Sequence, residues 1–287
     1  MPSFVLEQLS PRASRLAAFS YPLLVPEAIP IIDLGRLAYA AAYQIQLTQH
    51  AEVLASRDSA NPEVARILLV EHDPPAITIS RRADARKHLL ATDAMLGAAG
   101  VQLAETDRGG DITYHGPGQL VAYPIVDLNA LRLGLHDYMR LLEAAVIETC
   151  ADFGIAAGRD AGATGVWVCT IDPRATRLVQ RPDVPAASTD LAEPGSVARL
   201  PPRKICAMGV RVRRWIAFHG LALNVTSNLD HFKLIVPCGL AGREVTSLHR
   251  ELGAACPSME AVKVSLCKRL TERLAAAATN AHRARAS

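Results

Sequence analysis

Aromatic residues are scarce in this chain, 5% of 287 residues, and lysine and arginine nowhere gather into a concentrated stripe. A nucleic-acid surface wants basic side chains interleaved with aromatics, so that class of partner is excluded. The net charge of +3 is mild and suits, at most, an acidic protein partner. No apolar run approaches the ~18 residues of a membrane-crossing helix. The six cysteines, at 150, 169, 206, 238, 256 and 267, form neither a CxxC pair nor a short cluster with histidine. That spacing excludes structural zinc and a secreted disulfide scaffold, so no metal is expected. The first thirty residues lack the apolar core of a secretory signal, and Glu7 and Glu27 count against a mitochondrial presequence. They read as an extension of a cytoplasmic protein whose thiols stay reduced.

What is present is an apolar half sufficient for one large core. Helical spacing of Leu37, Ala41, Ile45 and Leu54 predicts an amphipathic helix over 31–57. Residues 66–70, 76–80, 101–106, 119–128, 164–169, 204–212 and 221–225 read as strands, and 85–96 and 135–153 as helices. Ser258 is placed as the N-cap of a final helix carrying Val262, Leu266, Leu270 and Leu274. Strands interleaved with helices predict an α/β (α+β) domain with a mixed sheet flanked by helices. The expected division is an extension over 1–30, one domain over 31–278 with a flexible insertion at 172–202, and a disordered basic tail over 279–287.

Between two strands lies Arg108-Gly109-Gly110-Asp111-Ile112-Thr113-Tyr114-His115-Gly116-Pro117-Gly118, a polar loop punctuated by glycine and proline. Glycine lets backbone approach a ligand closely, and a loop anchored to a sheet is where ligands are held. Two further segments stand out: Arg203-Lys204-Ile205-Cys206-Ala207-Met208-Gly209 and Val236-Pro237-Cys238-Gly239. Flanked by proline and glycine, Cys238 is more reachable than Cys150 or Cys267, which fall in amphipathic helices. Thiolate is the nucleophilic form, and an ammonium such as that of Lys204 stabilises it where the fold brings the two together.

These segments are similar to those of the lipoyl(octanoyl) transferases, within the biotin/lipoate protein ligase superfamily. The resemblance runs from about Ile31 to the final helix. It rests on Arg108-Gly-Gly-x-x-Thr-Tyr-His115-x-Pro-Gly118, Lys204-Ile-x-x-x-Gly-x-Arg211, Phe218-His219-Gly220-Leu-Ala-Leu-Asn224 and Pro237-Cys238-Gly239, in that order. It implies a single domain of the ligase-like fold and a two-step acyl transfer without cofactor. Octanoyl passes from acyl carrier protein to the thiol of Cys238, then to one lysine of a lipoyl domain. The acceptors implied are the E2 subunits of 2-oxoacid dehydrogenases and the glycine cleavage H protein. Lys204 is implied as the group that lowers the thiol pKa and moves the proton. Arg108 to His115, Ala207, Met208, Gly209, Gly220, Leu221 and Ala222 are implied to line the acyl site. Two departures from the family are the 172–202 insertion and the first thirty residues, and Ala207 stands where relatives often carry serine.

His115 has two readings, one aligning the acyl carbonyl or amine and one bonding the loop backbone. His219 reads as structural, and Arg211, Arg213 and Arg214 as a charged strand face complementary to acidic carriers. A ligase that activates a free acid with ATP is the rival of similar fold, and it needs no cysteine nucleophile. A non-catalytic module that only recognises carrier or lipoyl domains is the rival of another class, against which stands the presence of both Cys238 and Lys204.

Overall fold

The computed structural model describes residues 29–168, 201–237 and 242–286. The first twenty-eight residues, nearly all of the 172–202 insertion, and Cys238 with Gly239 lie outside them. The described residues build a mixed α+β structure, as the strand and helix pattern predicts. Ten strands are present: β1 (Ile31–Leu37), β2 (Ala65–His72), β3 (Ala76–Ser80), β4 (Gln102–Thr106), β5 (Ile112–His115), β6 (Gln119–Asp127), β7 (Ala157–Asp160), β8 (Ala163–Val168), β9 (Arg203–Arg213) and β10 (Ile216–Asn224). The helices are α1 (Tyr39–Ser56), α2 (Asp93–Ala99), α3 (Leu135–Asp152), α4 (Leu248–Leu252) and α5 (Met259–Ala286), with short 3-10 turns at 85–88 and 229–234.

Seven strands form the large sheet in the order β1-β2-β6-β10-β9-β8-β7, and three form a small sheet in the order β4-β3-β5. In the large sheet β1 runs parallel to β2 and the remaining neighbours are antiparallel. Both of its faces are covered, so β2 and β6 read as nearly unbroken apolar runs rather than alternating ones. On one face Ile67, Leu69, Leu120, Ala122 and Leu223 join Leu142, Val146, Leu266 and Leu270 of α3 and α5. On the other, Leu68, Val70, Val121, Tyr123 and Ala222 meet Ala42 of α1. The small sheet has its own core of Ile77, Ile79, Ile112, Tyr114, Leu96 and Phe232.

Three sequence expectations are corrected. Residues 31–37 are an edge strand, and helix begins only at Tyr39. The 85–96 segment is a 3-10 turn followed by α2, whose N-cap Thr92 accepts a hydrogen bond from Met95 N–H. The basic tail is helical: α5 starts beside Ser258, whose Oγ accepts from Ala261 N–H, and continues to Ala286. Ala278 and Ala281 extend its buried stripe, and Arg132 donates to the carbonyl of Ala284 at 2.8 Å. A basic composition reads as solvated chain, yet small apolar side chains at helical spacing are enough to keep the last two turns against α3. Among the described residues no helix is long and apolar enough to cross a membrane.

Deleting residues 280–287 should therefore lower stability by about 1–2 kcal/mol, through the lost burial of Ala281 and the lost Arg132 bond. A denaturant midpoint identical to that of the full chain would show that the final turns contribute nothing.

Candidate functional site

The polar loop that the sequence singles out is partly strand. Residues 112–115 form β5, which pairs antiparallel with β3, Thr113 opposite Thr78 and His115 opposite Ala76. The period-two alternation of a strand then splits the motif between two surroundings. Ile112 and Tyr114 point into the small sheet's core, where the Tyr114 hydroxyl lies 2.9 Å from His231 Nδ1. Thr113 and His115 point the other way, into a narrow cavity between the small sheet and the α1 face of the large one.

That cavity is a slot of about 40 Å³. Of the residues singled out from sequence, Arg108, Gly110, Asp111, Thr113, His115, Ala207, Met208, Gly209, Gly220, Leu221 and Ala222 all line it. Ile112 and Tyr114 do not, and Gly109 lines an adjoining space instead. Tyr39, Val121, Tyr123 and His219 complete the wall. The sequence offered a signal for Val121 and Tyr123, which share one face of β6, and none for Tyr39, at the start of a helix.

The two walls meet where Gly109 of the loop crosses β9. Gly109 N–H donates to the carbonyl of Val210 at 2.9 Å. A Cβ built on Gly209 falls 2.5 Å from the Gly109 carbonyl oxygen, and one on Gly109 falls 2.8 Å from that of Val210. Only glycine at both positions permits this approach.

The far end of the cavity is a network of phenols and imidazoles that satisfy one another. Tyr39 donates to Thr106 Oγ1 at 2.8 Å. His72 gives its Nδ1 proton to the Leu37 carbonyl and accepts from the Tyr123 hydroxyl at 2.7 Å. His115 bonds Gln119 Oε1 through Nδ1 at 2.8 Å, while the Gln119 amide donates to Asn224 and to the Tyr114 carbonyl. His219 and Tyr43 both reach Asp107 Oδ1, at 3.0 and 2.9 Å, and Arg211 approaches Oδ2 at 3.1 Å. Arg211 is thus held by Asp107 rather than offered as an unengaged surface charge. His219 sits at φ 57°, a left-handed conformation rare outside glycine, with its N–H held by Gln46 Oε1 at 3.0 Å. It lines the cavity, so it is more than packing.

Burial dominates the titration of these rings. It pushes His72 down to about 4 and His115 well below the ordinary imidazole value. His219 is lowered by burial against the opposing pull of Asp107. The hydrogen bond from His219 holds the Asp107 carboxyl down at about 2. Burial raises Tyr39 and pushes Tyr123 well above the usual phenol range. Near neutral pH the imidazoles and phenols of the chamber are uncharged, which an alkyl chain tolerates far better than ions, and the charged groups of the lining are Arg108 and Asp111.

Lys204 is placed on β9 and is 6% exposed. Its Nζ lies 4.7 Å from the ring centroid of Trp167, a cation–π distance. Its backbone N–H and carbonyl bond Glu244 and Thr246, both at 2.9 Å, just beyond the undescribed stretch 238–241. On the near side of that stretch Val236 N–H donates to the carbonyl of His88 at 2.8 Å. Lys204 lines a second, wider cavity of about 410 Å³, open to solvent, which shares Gly110, Asp111, Met208 and Gly209 with the narrow one. The described free cysteines are poor nucleophiles: burial pushes Cys150 up to about 12 and Cys267 to about 11, and raises Cys206 and Cys256.

This architecture is that of a lipoyl protein ligase catalytic domain. Residues 41–271 match the lipoyl protein ligase A/B catalytic domain family. A solved archaeal lipoylation system from Thermoplasma acidophilum, comprising a bi-partite lipoate protein ligase and its E2 lipoyl domain, superposes with a TM-score of 0.57 at 15% identity, over 86% of this chain and 83% of that one. A lipoate-protein ligase A bound with ATP gives 0.56 at 15% identity, over 86% and 85%. Sequence relatives are nearer. An octanoyltransferase of Cytophaga hutchinsonii is 41% identical over 253 residues, 85% of this chain and 92% of its own length. One of Acidobacterium capsulatum is 42% identical over 229 residues, 77% and 80% of the two. The chain belongs to the lipoyl protein ligase A/B catalytic domain family, and it is an acyltransferase.

Two outcomes follow from this geometry. Below pH 6.5 the unfolded chain takes up protons on residues 72, 115 and 219 that the folded rings refuse, so stability falls with pH, over a window reaching about 4 for His72. Each such ring contributes a slope of about 1.4 kcal/mol per pH unit. Guanidinium midpoints should drop between pH 7 and 5, and His72→Asn should flatten the drop; a flat wild-type profile refutes the neutral-ring reading. Gly209→Ala should prise the loop from β9 and cut acyl-transfer activity by about tenfold or more, while the far-UV circular dichroism stays that of the wild type. Full activity in that variant would mean the crossing can relax.

Proposed function

We propose that the enzyme moves an octanoyl group from acyl carrier protein to a lysine of lipoyl domains, through a thioester on Cys238. The observation that carries this reading is the convergence of separate motif segments on one narrow cavity, charged only at Arg108 and Asp111, that shares a wall with the cavity of Lys204. The octanoyltransferase relatives give the acyl group its length. The acceptors are the lipoyl domains of 2-oxoacid dehydrogenase E2 subunits and the glycine cleavage H protein, and the reaction belongs in the cytoplasm, where a thiol stays free.

Each step has a physical rationale. The alkyl chain enters the narrow cavity, where every buried methylene contributes about 0.8 kcal/mol. Lys204 favours the thiolate of Cys238, which attacks the donor thioester and releases the carrier's thiol. Exchange of one thioester for another is nearly balanced, so no nucleotide is consumed. Backbone N–H groups of the glycine-rich segments are suited to the developing oxyanion, an effect worth about 3–4 kcal/mol per donor in other enzymes. The stored thioester then makes amide formation with the lysine favourable.

The test is incubation with octanoyl-acyl carrier protein in the absence of ATP, followed by intact mass. The expected result is an enzyme carrying one octanoyl group, absent in Cys238→Ala and formed about 100-fold more slowly in Lys204→Ala. Acylation that persists in Cys238→Ala refutes the thioester. Product that appears only with free octanoate and ATP assigns the chain to ligase chemistry instead.

A further inference from the structure

Among the described residues the wider cavity is lined by a single carboxylate, that of Asp111, and by two cations, Arg82 and Lys204. Asp111 stands on the shared wall, so it borders both the chamber and the open side. Its two oxygens are in different situations. Oδ2 lies 2.6 Å from Nδ1 of His88, an ion-pair distance at an angle that leaves that nitrogen without a hydrogen bond among the described residues. Oδ1 is buried and accepts no hydrogen bond among the described residues. A buried carboxylate oxygen without a donor is costly, and such an oxygen at a cavity wall is an acceptor awaiting one.

His88 belongs to the 3-10 turn at 85–88 and is held on both sides. Its carbonyl takes the Val236 N–H, and Leu89 bridges Ile235. The neighbouring charges are engaged elsewhere, Lys87 with Asp84 at 2.6 Å and Arg86 near Glu105 at 3.9 Å. The ring is 29% exposed, so its nearer nitrogen holds Asp111 in place from the edge of the wall.

We propose that Asp111, oriented by His88, is the subsite for the incoming amine, and that it receives the ε-ammonium of a protein lysine entering through the wider cavity. The inference rests on the acyl-transfer reading above and adds to it the place where the second substrate is deprotonated. The ammonium docks on the Asp111 carboxylate and gives up one proton to it, and the resulting carboxylic acid loses that proton to the solvent of the wider cavity. The freed lone pair attacks the thioester carbonyl carbon, forming the C–N bond as the carbonyl opens to an oxyanion. Collapse breaks the C–S bond, sulfur leaves as thiolate, and the remaining extra proton on nitrogen passes to it. Asp111 touches the substrate, and His88 is a positioning residue.

The experiment separates the half-reactions. Octanoyl-enzyme is prepared from octanoyl-acyl carrier protein, isolated, and mixed with an excess of lipoyl domain in a single turnover. In Asp111→Asn and in His88→Gln, transfer to the lysine should fall at least tenfold more than enzyme acylation does, and Asp111→Glu should recover part of the loss. Hydroxylamine, a nucleophile already neutral at pH 7, should discharge wild-type and variant octanoyl-enzymes at similar rates, since it needs neither a docking anion nor loss of a proton before attack. Equal losses in both half-reactions, or an equal loss with hydroxylamine, overturn this inference alone. A wild-type enzyme that never forms octanoyl-enzyme overturns the transfer reading and this inference with it.

Discussion

One backbone hydrogen bond, from Gly109 to Val210, joins the two sheets where the chamber needs a closed wall. The small sheet carries its own apolar core and the large sheet carries another, so neither requires the other for burial. Their facing surfaces are therefore left to define a space, and the glycine crossing sets how wide it is. A side chain at either glycine would drive the walls apart by the bulk of a methyl group, enough to change a passage fitted to a single alkyl chain. The opening of the chamber is thus decided by residues with no side chain to offer.

The chamber's chemistry follows from burying polar rings in pairs. Tyr39, Tyr123, His72, His115 and His219 supply donors and acceptors in a region that must exclude water, yet each has a partner within the protein. A satisfied ring presents edge and face to the cavity and asks nothing of its contents. The cost of burying these groups is met locally, and the surface left over is apolar in effect. Charge enters only toward the shared wall, where Arg108 anchors the loop on Thr78 and Asp111 meets His88.

Much of this was legible in the sequence because it depends on local rules. The run 119–128 became β6 almost residue for residue, and helix periodicity located α3 and the start of α5. What escaped was tertiary. β1 is largely exposed and gains strand character from pairing with β2, so apolar spacing assigned it to the helix that follows. β5 hid inside the glycine-rich motif because its two faces serve different cores, which makes Thr113 and His115 look like neighbours of Ile112 and Tyr114. His219, flanked by Phe218 and Gly220, read as packing; its left-handed backbone, which turns the ring toward Asp107, has no sequence signature. The resemblance named the segments, and only coordinates could say which residues of each described segment face the cavity.

Two cavities with a common wall suit a reaction in which one group stays and two carriers take turns. If an acyl chain and its donor shared one opening, the chain would have to leave the chamber whenever the donor did. Here the narrow cavity can keep the chain while the wider one, bordered by Lys204 and Asp111, is vacated and refilled. The chain's burial energy is then retained across the exchange and need not be gained again for the second step. In the proposed transfer the acyl carbonyl has to be reached from both cavities, which places it at the level of the shared residues Gly110, Asp111, Met208 and Gly209. That level is also the height of the glycine crossing, so the contact that sets the width of the chamber also sets the position of the bond to be broken.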